Sequence, residues 1–388
     1  MSDSPIQNPR AEIDAIDTEI LELLNRRAEI ALRVGAAKAE KDASLVDPRR
    51  ESEVLARLIS DNPGPFDATA IENIFQRIID ESLALQQSKF HRKRRGEAAR
   101  VPAVALASRV GFLGDAGSFS ETAAIGILGN ECDYISYPTF EELYRAIDED
   151  SVAYIISPLE NSLVGSIQPC YDLLAASDLG VVAEIILPVS HFLIAGPTAT
   201  IDSITTVESH PAALSQCERF FAAHPGLRRI AGDDTAGSVR RAVESGDATR
   251  AAIGGRRSAA IYGGKIIREH IEDHADNFTR FALLSKDTTE NPAGGKISLI
   301  LRLKNEPGSL HSALRPFVRR NIDLTKIESR PIKGQPAEFN FYLDLQAPAS
   351  ESDLRGALDE VREQAASVRY LGRYPTIVLT NERISDIS

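Results

Sequence analysis

The 388-residue chain has no tryptophan, one methionine and three cysteines. Cys132, Cys170 and Cys217 are far apart and form no Cys-x-x-Cys pair, so the sequence predicts neither a disulfide framework nor a cysteine-rich zinc site. No apolar run approaches the roughly 18 residues of a membrane span, and the first ten residues lack the apolar core of a signal peptide. These absences predict a protein of the reducing cytoplasm.

Positive charge is also scarce, because the net charge is −12. This disfavours nucleic-acid binding and means that an anionic ligand must be held by local clusters of Arg and Lys. The basic run at residues 91–95 has no interleaved aromatic residues and is interpreted as a solvated linker. No nucleic-acid or membrane partner is expected.

Cofactor and metal motifs are missing as well. The glycines at 111, 114 and 117 have GxxGxxG spacing, whereas a dinucleotide site needs GxGxxG, and Gly264-Lys265 lacks the P-loop residues on either side. His270 and His274 have zinc-ligand spacing, but Ile271 replaces the zincin glutamate and no third ligand is evident. The sequence therefore predicts no cofactor and no metal.

The pattern along the chain predicts three domains. Apolar residues at helical spacing indicate helices at 11–38, 48–60 and 68–89, so residues 1–92 form an all-helical domain, followed by a linker at 93–107. Strands alternating with helices predict an α/β domain over 108–287. A βαββαβ order over 294–382 predicts an α+β, ferredoxin-like domain.

Polar residues of the helical domain are spaced to meet. Arg27 and Lys38 lie three helical turns apart on nearly one face, about 16 Å along the axis, where both could reach one small anion. Arg10 lies too far along the same helix to share that ligand unless another chain supplies it. The set that could converge is Arg10, Arg27, Lys38, Asp47, Arg50, Glu51, Ser82 and Gln86.

This set resembles the site of the all-helical chorismate mutases. The resemblance implies a Claisen rearrangement of chorismate to prephenate, which needs a folded substrate pose and stabilised charge at the breaking ether bond. It implies that Arg27 and the partner's Arg10 hold the two carboxylates, that Lys38 and Gln86 donate to the ether oxygen, and that Glu51 orients the substrate hydroxyl. It also implies an intertwined homodimer, or a dimer of dimers.

The central domain contains a series of polar motifs. Ser118 and Glu121, after the glycine turn, have capping-box spacing. Further motifs are Ser157 to Ser162 with Gly165-Ser166, then Ser209-His210-Pro211, Thr235-Ala236, Ile271 to Asp273, and Asn277 to Phe281. Together they resemble the prephenate dehydratases, whose fold is two α/β lobes around a cleft, similar to periplasmic binding proteins.

That resemblance implies conversion of prephenate to phenylpyruvate, with loss of carbon dioxide and water. Thr279 is the candidate donor to the leaving hydroxyl, and Arg280 is expected to anchor a substrate carboxylate. Phe281 and Phe278 are expected to keep the departing carboxylate poorly solvated. Asn161, Ser162, Ser209 and Thr235 are expected to orient the substrate.

The C-terminal domain carries two further motifs. Gly308, Ser309 and Leu310 open a helix, and Glu328, Ser329, Arg330 and Pro331 lie on the next strand. They resemble the ACT regulatory domain, which implies binding of L-phenylalanine at a domain interface, with the helix N-terminus suited to its carboxylate.

Several alternatives stay open at this stage. Taken singly, Thr279 and Phe281 are ordinary strand residues, Ser162 and Ser209 are turn residues, and Asp47 is a helix cap. The dehydratase could use arogenate instead of prephenate, or the chain could be a non-catalytic amino-acid sensor. An NAD-dependent prephenate dehydrogenase is disfavoured by the missing GxGxxG.

Overall fold

A computed structural model describes residues 7–40, 48–90, 108–288, 291–335, 338–348 and 350–380. The linker predicted at 93–107 lies outside these ranges. The chain divides into two compact units, residues 1–98 and 99–388. The second unit contains both the α/β domain and the C-terminal domain.

The first unit contains the three predicted helices, α1 (Gln7–Glu40), α2 (Pro48–Asp61) and α3 (Ala68–Phe90). At 34 residues, α1 is about 50 Å long. Its apolar side chains at 13, 16, 20, 23, 30 and 34 repeat at alternating three- and four-residue steps, with Arg27 filling the missing place. This apolar stripe is largely exposed: the exposed fraction is 56% for Ile13 and 63% for Leu23.

The first sheet of the second unit has strand order β16-β5-β11-β3-β1-β2, with β4 paired to β3. Helices α4, α5 and α6 cover it, and the buried aliphatic residues of β1, β3, β5 and β11 supply its core. Its elements are β1 (Arg109–Leu113), α4 (Phe119–Leu128), β2 (Asp133–Tyr137), α5 (Phe140–Asp148), β3 (Tyr154–Asn161), β4 (Gly165–Ser166), α6 (Gln168–Ala176), β5 (Gly180–Pro188) and β11 (Phe278–Ser285).

The second sheet has strand order β10-β6-β9-β7-β8 and forms the second lobe. Its strands are four- or five-residue segments with little alternation, so hydrophobic periodicity gives only a weak signal for each of them. Its elements are β6 (Phe192–Ala195), β7 (Thr206–Ser209), α7 (Pro211–Ser215), α8 (Glu218–Ala223), β8 (Arg228–Ala231), α9 (Thr235–Glu244), β9 (Arg250–Gly254), α10 (Arg256–Tyr262) and β10 (Lys265–Arg268).

The chain crosses between the two lobes at residues 189–191 and 269–277. The two crossings are bonded to each other, since Val189 N–H donates to Asn277 O at 2.8 Å and Ile271 N–H donates to His191 O at 3.0 Å. We call this pair of segments the hinge. The predicted two-lobed α/β architecture is confirmed.

The third sheet has strand order β13-β14-β12-β15, with α11 and α12 on one face. This is the predicted ferredoxin-like order. Its elements are β12 (Lys296–Arg302), α11 (Ser309–Arg319), β13 (Leu324–Pro331), β14 (Phe339–Gln346), α12 (Glu351–Gln364) and β15 (Ser367–Tyr374).

The C-terminal domain is joined to the first lobe more closely than the sequence indicated. After β15, the strand β16 (Thr376–Val378) pairs in parallel with β5 and extends the first sheet. Tyr342 Oη donates to the carbonyl of Tyr171 at 2.6 Å, and both rings belong to one core cluster. The third sheet and the first lobe therefore share a hydrophobic core.

No helix in the described ranges is long and apolar enough to cross a membrane.

A close approach between β15 and β5 gives a test of this packing. Gly372 has φ +137°, and an added Cβ would lie 2.6 Å from the carbonyl oxygen of Val181. Gly372→Ala should therefore destabilise the fold by about 2–3 kcal/mol, through backbone strain and overpacking. Gly334→Ala is the matched control: Gly334 has φ +76° with nothing within 4 Å, and the cost should be only about 1 kcal/mol.

Calorimetric unfolding of the full-length variants checks this. Equal falls in Tm for the two variants would contradict the close contact between β15 and β5.

Candidate active sites

In the helical unit, the structure brings two of the expected site residues together. Arg27 Nη1 donates to Ser82 Oγ at 2.6 Å and to the carbonyl of Ile78 at 3.3 Å, which joins α1 to α3. Lys38 is half-buried further along α1, while Arg10 and Arg50 are exposed. Asp47, and the side chains of Glu51 and Gln86, lie outside the described part of the structure.

In the second unit, the two lobes meet at the glycine turn before α4. Arg240 pairs with Asp115 at 2.9 Å, Arg257 pairs with Glu121 at 2.9 Å, and Tyr262 donates to the carbonyl of Ala116 at 2.9 Å. Each contact joins the first lobe to α9 or α10 of the second. The cleft between the lobes is therefore closed at this edge.

The turn itself is shaped by the predicted cap. Ser118 Oγ accepts from Glu121 N–H at 3.3 Å, and the Glu121 carboxylate accepts from Gly117 N–H at 2.7 Å. Gly117 has φ +84°, and a Cβ there would lie 2.6 Å from Ser258 Cα, so glycine allows the second lobe to approach. The predicted cap by Ser118 is confirmed, whereas the return bond of Glu121 is to Gly117 N–H and not to the Ser118 N–H of a full capping box.

A cavity of about 110 Å³ lies beside this contact, between the lobes. Its wall combines apolar side chains with two arginines and a histidine. The lining residues are Phe119, Thr122, Leu187, Pro188, Ser190, Phe192, Gly255, Arg256, Arg257 and His270.

Thr279 lies on the cavity side of the first sheet. It is opposite Leu187 of β5 in the strand register, so the two side chains share a face. The exposed fraction of Thr279 is 8%, and its Oγ1 is 3.0 Å from Asn161 Nδ2. The structure thus places Thr279 and Asn161 together on the face of the sheet that Leu187 shares, although neither residue is among those that line the cavity.

The other residues that were predicted to orient the substrate are Ser209, Ser162 and Thr235. Ser209 is fully buried and donates to the carbonyl of Ile253 at 2.7 Å. Ser162 Oγ donates to the carbonyl of Asp276 at 3.0 Å and accepts from Phe278 N–H at 2.9 Å, which fixes the hinge. Thr235 opens α9, next to the cap Asp234, whose carboxylate accepts from Gly237 N–H at 2.6 Å.

Arg280 does not have the surroundings expected of a carboxylate anchor. It alternates with Thr279 and so points to the opposite face of the sheet, towards the C-terminal domain. Its guanidinium pairs with Glu184 and with Asp344 Oδ2 at 2.6 Å, and lies 3.7 Å from Glu160. Lys296 and Lys326 complete this cluster, with Lys296 Nζ 2.9 Å from Glu184 and Lys326 Nζ 2.8 Å from Glu160.

The cluster contains three cations and three anions, which we call the six-charge cluster: Arg280, Lys296, Lys326, Glu160, Glu184 and Asp344. Burial lowers the pKa of Arg280, but the charges of Glu184 and Asp344 outweigh this and raise it well above its ordinary value. Because these charges balance, the cluster has no cation to spare for a substrate carboxylate. The geometry therefore argues against the predicted role of Arg280.

Phe281 also lies away from the cavity wall. Its exposed fraction is 2%, and it packs in the core with Val110, Phe112 and Ile185. Its surroundings are those of a packing residue.

The motifs of the C-terminal domain lie in two places. Gly308, Ser309 and Leu310 line a cavity of about 420 Å³, together with Leu303, Lys304, Asn305, Glu306, His311, Phe339 and Phe341. Ser329 is opposite Phe341 in the strand register. Glu328 and Arg330 instead contact the first lobe, with Glu328 accepting from Ser166 at 2.8 Å and Arg330 pairing with Asp172 at 3.1 Å.

Sequence reasoning missed the residues that complete the cleft. Leu187, Arg256 and Arg257 belong to no motif, and His191 and Gln216 form a buried hydrogen bond of 2.8 Å in the hinge. The proximity of His191 and Gln216 depends on how the two lobes connect, so no local signal identifies them. Among the described residues, no group of three or more His, Cys, Asp and Glu is placed to hold a metal ion.

Comparison with known protein families matches three segments in order. Residues 9–87 match chorismate mutase type II, residues 110–289 match prephenate dehydratase, and residues 297–363 match the ACT domain.

Relatives match over the whole length. A bifunctional chorismate mutase/prephenate dehydratase of Neisseria gonorrhoeae is 33% identical, over 95% of this chain and 97% of the relative. The protein of the same name from Escherichia coli K12 is 30% identical, over 97% of each. A prephenate dehydratase structure from Arthrobacter aurescens, in complex with L-Phe, is 27% identical with a TM-score of 0.64, and the match covers 69% of this chain and 90% of that one. The chain belongs to the family of bifunctional chorismate mutase/prephenate dehydratases.

Proposed function

We propose that the chain catalyses two consecutive reactions, chorismate to prephenate in the helical unit and prephenate to phenylpyruvate between the lobes. The observation that carries the proposal is the order of the two family matches within one chain whose relatives match from end to end. The product of the first reaction is the substrate of the second. The pair of reactions is a route to phenylalanine.

For the mutase reaction, Arg27 is the best-supported binding residue. Its contact with Ser82 orients the guanidinium at the crossing of α1 and α3. By analogy with the family, Lys38 and Gln86 stabilise the ether oxygen, Glu51 orients the hydroxyl, and Asp47 and Arg50 complete the pocket. The partner's Arg10 would reach the second carboxylate.

A homodimer, or a dimer of dimers, follows from the surface of α1. The exposed apolar stripe from Ile13 to Val34 has the three- and four-residue spacing of a helix that packs along another helix. We propose that a second copy covers it. The free thiols Cys132, Cys170 and Cys217 suit a reducing compartment, which supports a cytoplasmic location.

For the dehydratase reaction, Thr279 is proposed to donate a hydrogen bond to the leaving hydroxyl of prephenate. Its position opposite the cavity-lining Leu187, almost excluded from water, supports this role. Asn161 orients Thr279, and Thr235 at the start of α9 remains a candidate to contact substrate. Arg256 and Arg257 line the cavity, which Arg280 does not, but each is paired with a carboxylate, Arg256 with Glu269 and Arg257 with Glu121, both at 2.9 Å. An anionic substrate would compete with these carboxylates for the two guanidinium groups.

The alternatives are separated by one assay of the purified chain. Phenylpyruvate formed from prephenate supports the proposal, whereas a preference for arogenate identifies the amino analogue as substrate. A chain that binds phenylalanine but converts neither chorismate nor prephenate would be a sensor.

Regulation by L-phenylalanine is proposed for the C-terminal domain. The L-Phe complex of the Arthrobacter protein supports this, as does the cavity formed by Gly308, Ser309 and Leu310. Phenylalanine bound there would reach β13 through Ser329, which neighbours Phe341 of the cavity wall. Glu328 and Arg330 of the same strand then contact the first lobe.

The six-charge cluster forms a second connection between the C-terminal domain and the first lobe. Arg280 directly follows Thr279 on β11, and Asp344 lies on β14, next to β13. We call the third sheet, which contains β13 and β14, the regulatory sheet. We propose that Arg280 transmits a movement of the regulatory sheet to Thr279.

The role of Thr279 can be tested by deletion of its hydroxyl. Thr279→Ala should lower the dehydratase kcat by roughly a hundredfold or more, because the donor to the leaving group is lost. Thr279→Ser keeps the hydroxyl and should retain most of the activity. The mutase rate, measured with chorismate, should not change in either variant; unchanged phenylpyruvate formation by Thr279→Ala would refute the role.

The helical site can be tested separately. Lys38→Met should lower the mutase kcat by roughly a hundredfold, because a charge next to the ether oxygen is lost. Dehydratase activity with added prephenate should be unaffected. Arg33→Met, which removes an exposed cation from the same helix, is the control; an equal loss of mutase activity in both variants would show a general charge effect instead.

The transmission role of Arg280 predicts a change in regulation. Asp344→Asn removes one charge from the cluster and should raise the phenylalanine concentration for half inhibition by about tenfold, the effect of a coupling loss near 1.4 kcal/mol. The control is Glu360→Gln, which breaks an ion pair within the C-terminal domain. In that pair, Arg320 Nη2 lies 2.5 Å from Glu360 Oε1. Identical phenylalanine titrations for wild type and Asp344→Asn would exclude this connection.

A further inference from the structure

A buried chain of hydrogen bonds runs from Thr279 into the hinge. Asn161 Nδ2 is 3.0 Å from Thr279 Oγ1 and 2.7 Å from Asn277 Oδ1. Asn277 Nδ2 is 3.0 Å from Gln216 Oε1, and the same oxygen is 2.8 Å from His191 Nε2. We call Asn161, Asn277, Gln216 and His191 the hinge chain.

Backbone groups fix the direction of the first bond. The N–H groups of Leu163 and Val164 donate to Asn161 Oδ1 at 3.0 and 3.1 Å. A backbone N–H can only donate, so the oxygen of the Asn161 amide must face this turn. The two hydrogens of Asn161 Nδ2 are therefore shared among three acceptors, Asn277 Oδ1 at 2.7 Å, Thr279 Oγ1 at 3.0 Å and the carbonyl of Phe278 at 3.1 Å.

The same logic determines every later bond. Asn277 Oδ1 accepts from Asn161, so Asn277 Nδ2 donates to Gln216 Oε1. Gln216 Oε1 is an acceptor, and the His191 nitrogen that contacts it must therefore carry a hydrogen. His191 is thus the Nε2–H tautomer, and burial lowers its pKa, which favours the neutral ring.

The surroundings of His191 agree with this assignment. The exposed fraction of the residue is 2%, the ring lies edge-on to Phe119 with the centroids 6.0 Å apart, and the backbone N–H donates to Glu272 at 2.8 Å. Its Nδ1 has no hydrogen-bond partner among the described residues. Burying an unpaired acceptor has a cost, which indicates that the ring is held there for the bond at Nε2.

The far end of the chain is where chemistry would occur. Thr279 Oγ1 accepts from Asn161, so the proton of its own hydroxyl is left to be donated elsewhere. A proton directed into the cleft is what a leaving hydroxyl requires.

We propose that His191 is a positioning residue of the dehydratase reaction: through Gln216, Asn277 and Asn161 it holds the Thr279 hydroxyl in the orientation that donates to substrate. The inference rests on the proposed role of Thr279. It assigns His191 no contact with the substrate.

The test compares two substitutions in the full-length chain. His191→Leu removes the donor at about constant size and should lower the dehydratase kcat by about tenfold, the loss of one buried hydrogen bond. The KM for prephenate should change much less, because His191 does not touch the substrate. His191→Gln places an amide N–H near the former Nε2 and should restore kcat to within about threefold of wild type.

His224→Leu is the matched control. His224 is a half-buried histidine of the second lobe whose Nδ1 bonds to the carbonyl of Phe220 at 2.9 Å, outside the hinge chain. Its substitution should leave the dehydratase kcat unchanged. Mutase activity and thermal unfolding of each variant show whether the chain is folded.

The tautomer can be checked without substitution. Nitrogen-15 labelling of the seven histidines should show a neutral ring with hydrogen on Nε2, and that signal should be missing from His191→Gln. Hydrogen on Nδ1 of His191 would overturn the inference.

The kinetic outcomes are separable. Equal loss of activity in His191→Leu and His191→Gln would assign a merely structural role, and no loss in either would exclude the hinge chain from catalysis. Both results overturn this inference while an inactive Thr279→Ala still supports the proposed function. An active Thr279→Ala would overturn the role of Thr279, and this inference with it.

Discussion

The alternation of side chains along β11 is the constraint on which the dehydratase unit depends. Consecutive residues of a strand point to opposite faces, so Thr279 and Arg280 cannot serve one ligand on one side of the sheet. Thr279 faces the cleft beside Leu187, and Arg280 faces the regulatory sheet beside Glu184 and Asp344. A one-residue shift of β11 would exchange these surroundings, so the same register defines both the proposed reaction site and its proposed link to regulation.

The six-charge cluster makes that register costly to change. Charges lose hydration when buried, and removal of one partner leaves an uncompensated charge, whereas the complete set gains little net stability. Such a cluster is better suited to specifying one arrangement than to stabilising the fold in general. Here it specifies the position of the regulatory sheet relative to β11, and the pairing of β16 with β5 gives the same junction a backbone connection.

The parts of the structure that depend on neighbours in sequence could be predicted. Helical periodicity located α1 to α3, the Ser118–Glu121 spacing gave the cap of α4, and the order of elements gave the third sheet. Partners distant in sequence could not be predicted: Glu184 is 96 residues from Arg280, and Gln216 is 61 from Asn277. Residue type suggested that Arg280 binds a carboxylate, and it does pair with carboxylates, but those of the protein itself.

In the helical unit, the proposed substrate site and the proposed association surface lie on the same face of α1. Arg27 is the one polar residue in the α1 stripe, at a position where the repeat would place an apolar side chain. A cation in an apolar helix contact is costly unless it has a partner. Ser82 and the carbonyl of Ile78 satisfy only part of a guanidinium with five N–H donors. A substrate carboxylate would satisfy more of them. In the proposed dimer the second α1 would cover the stripe on both sides of Arg27, so association would enclose the position at which the substrate is proposed to bind.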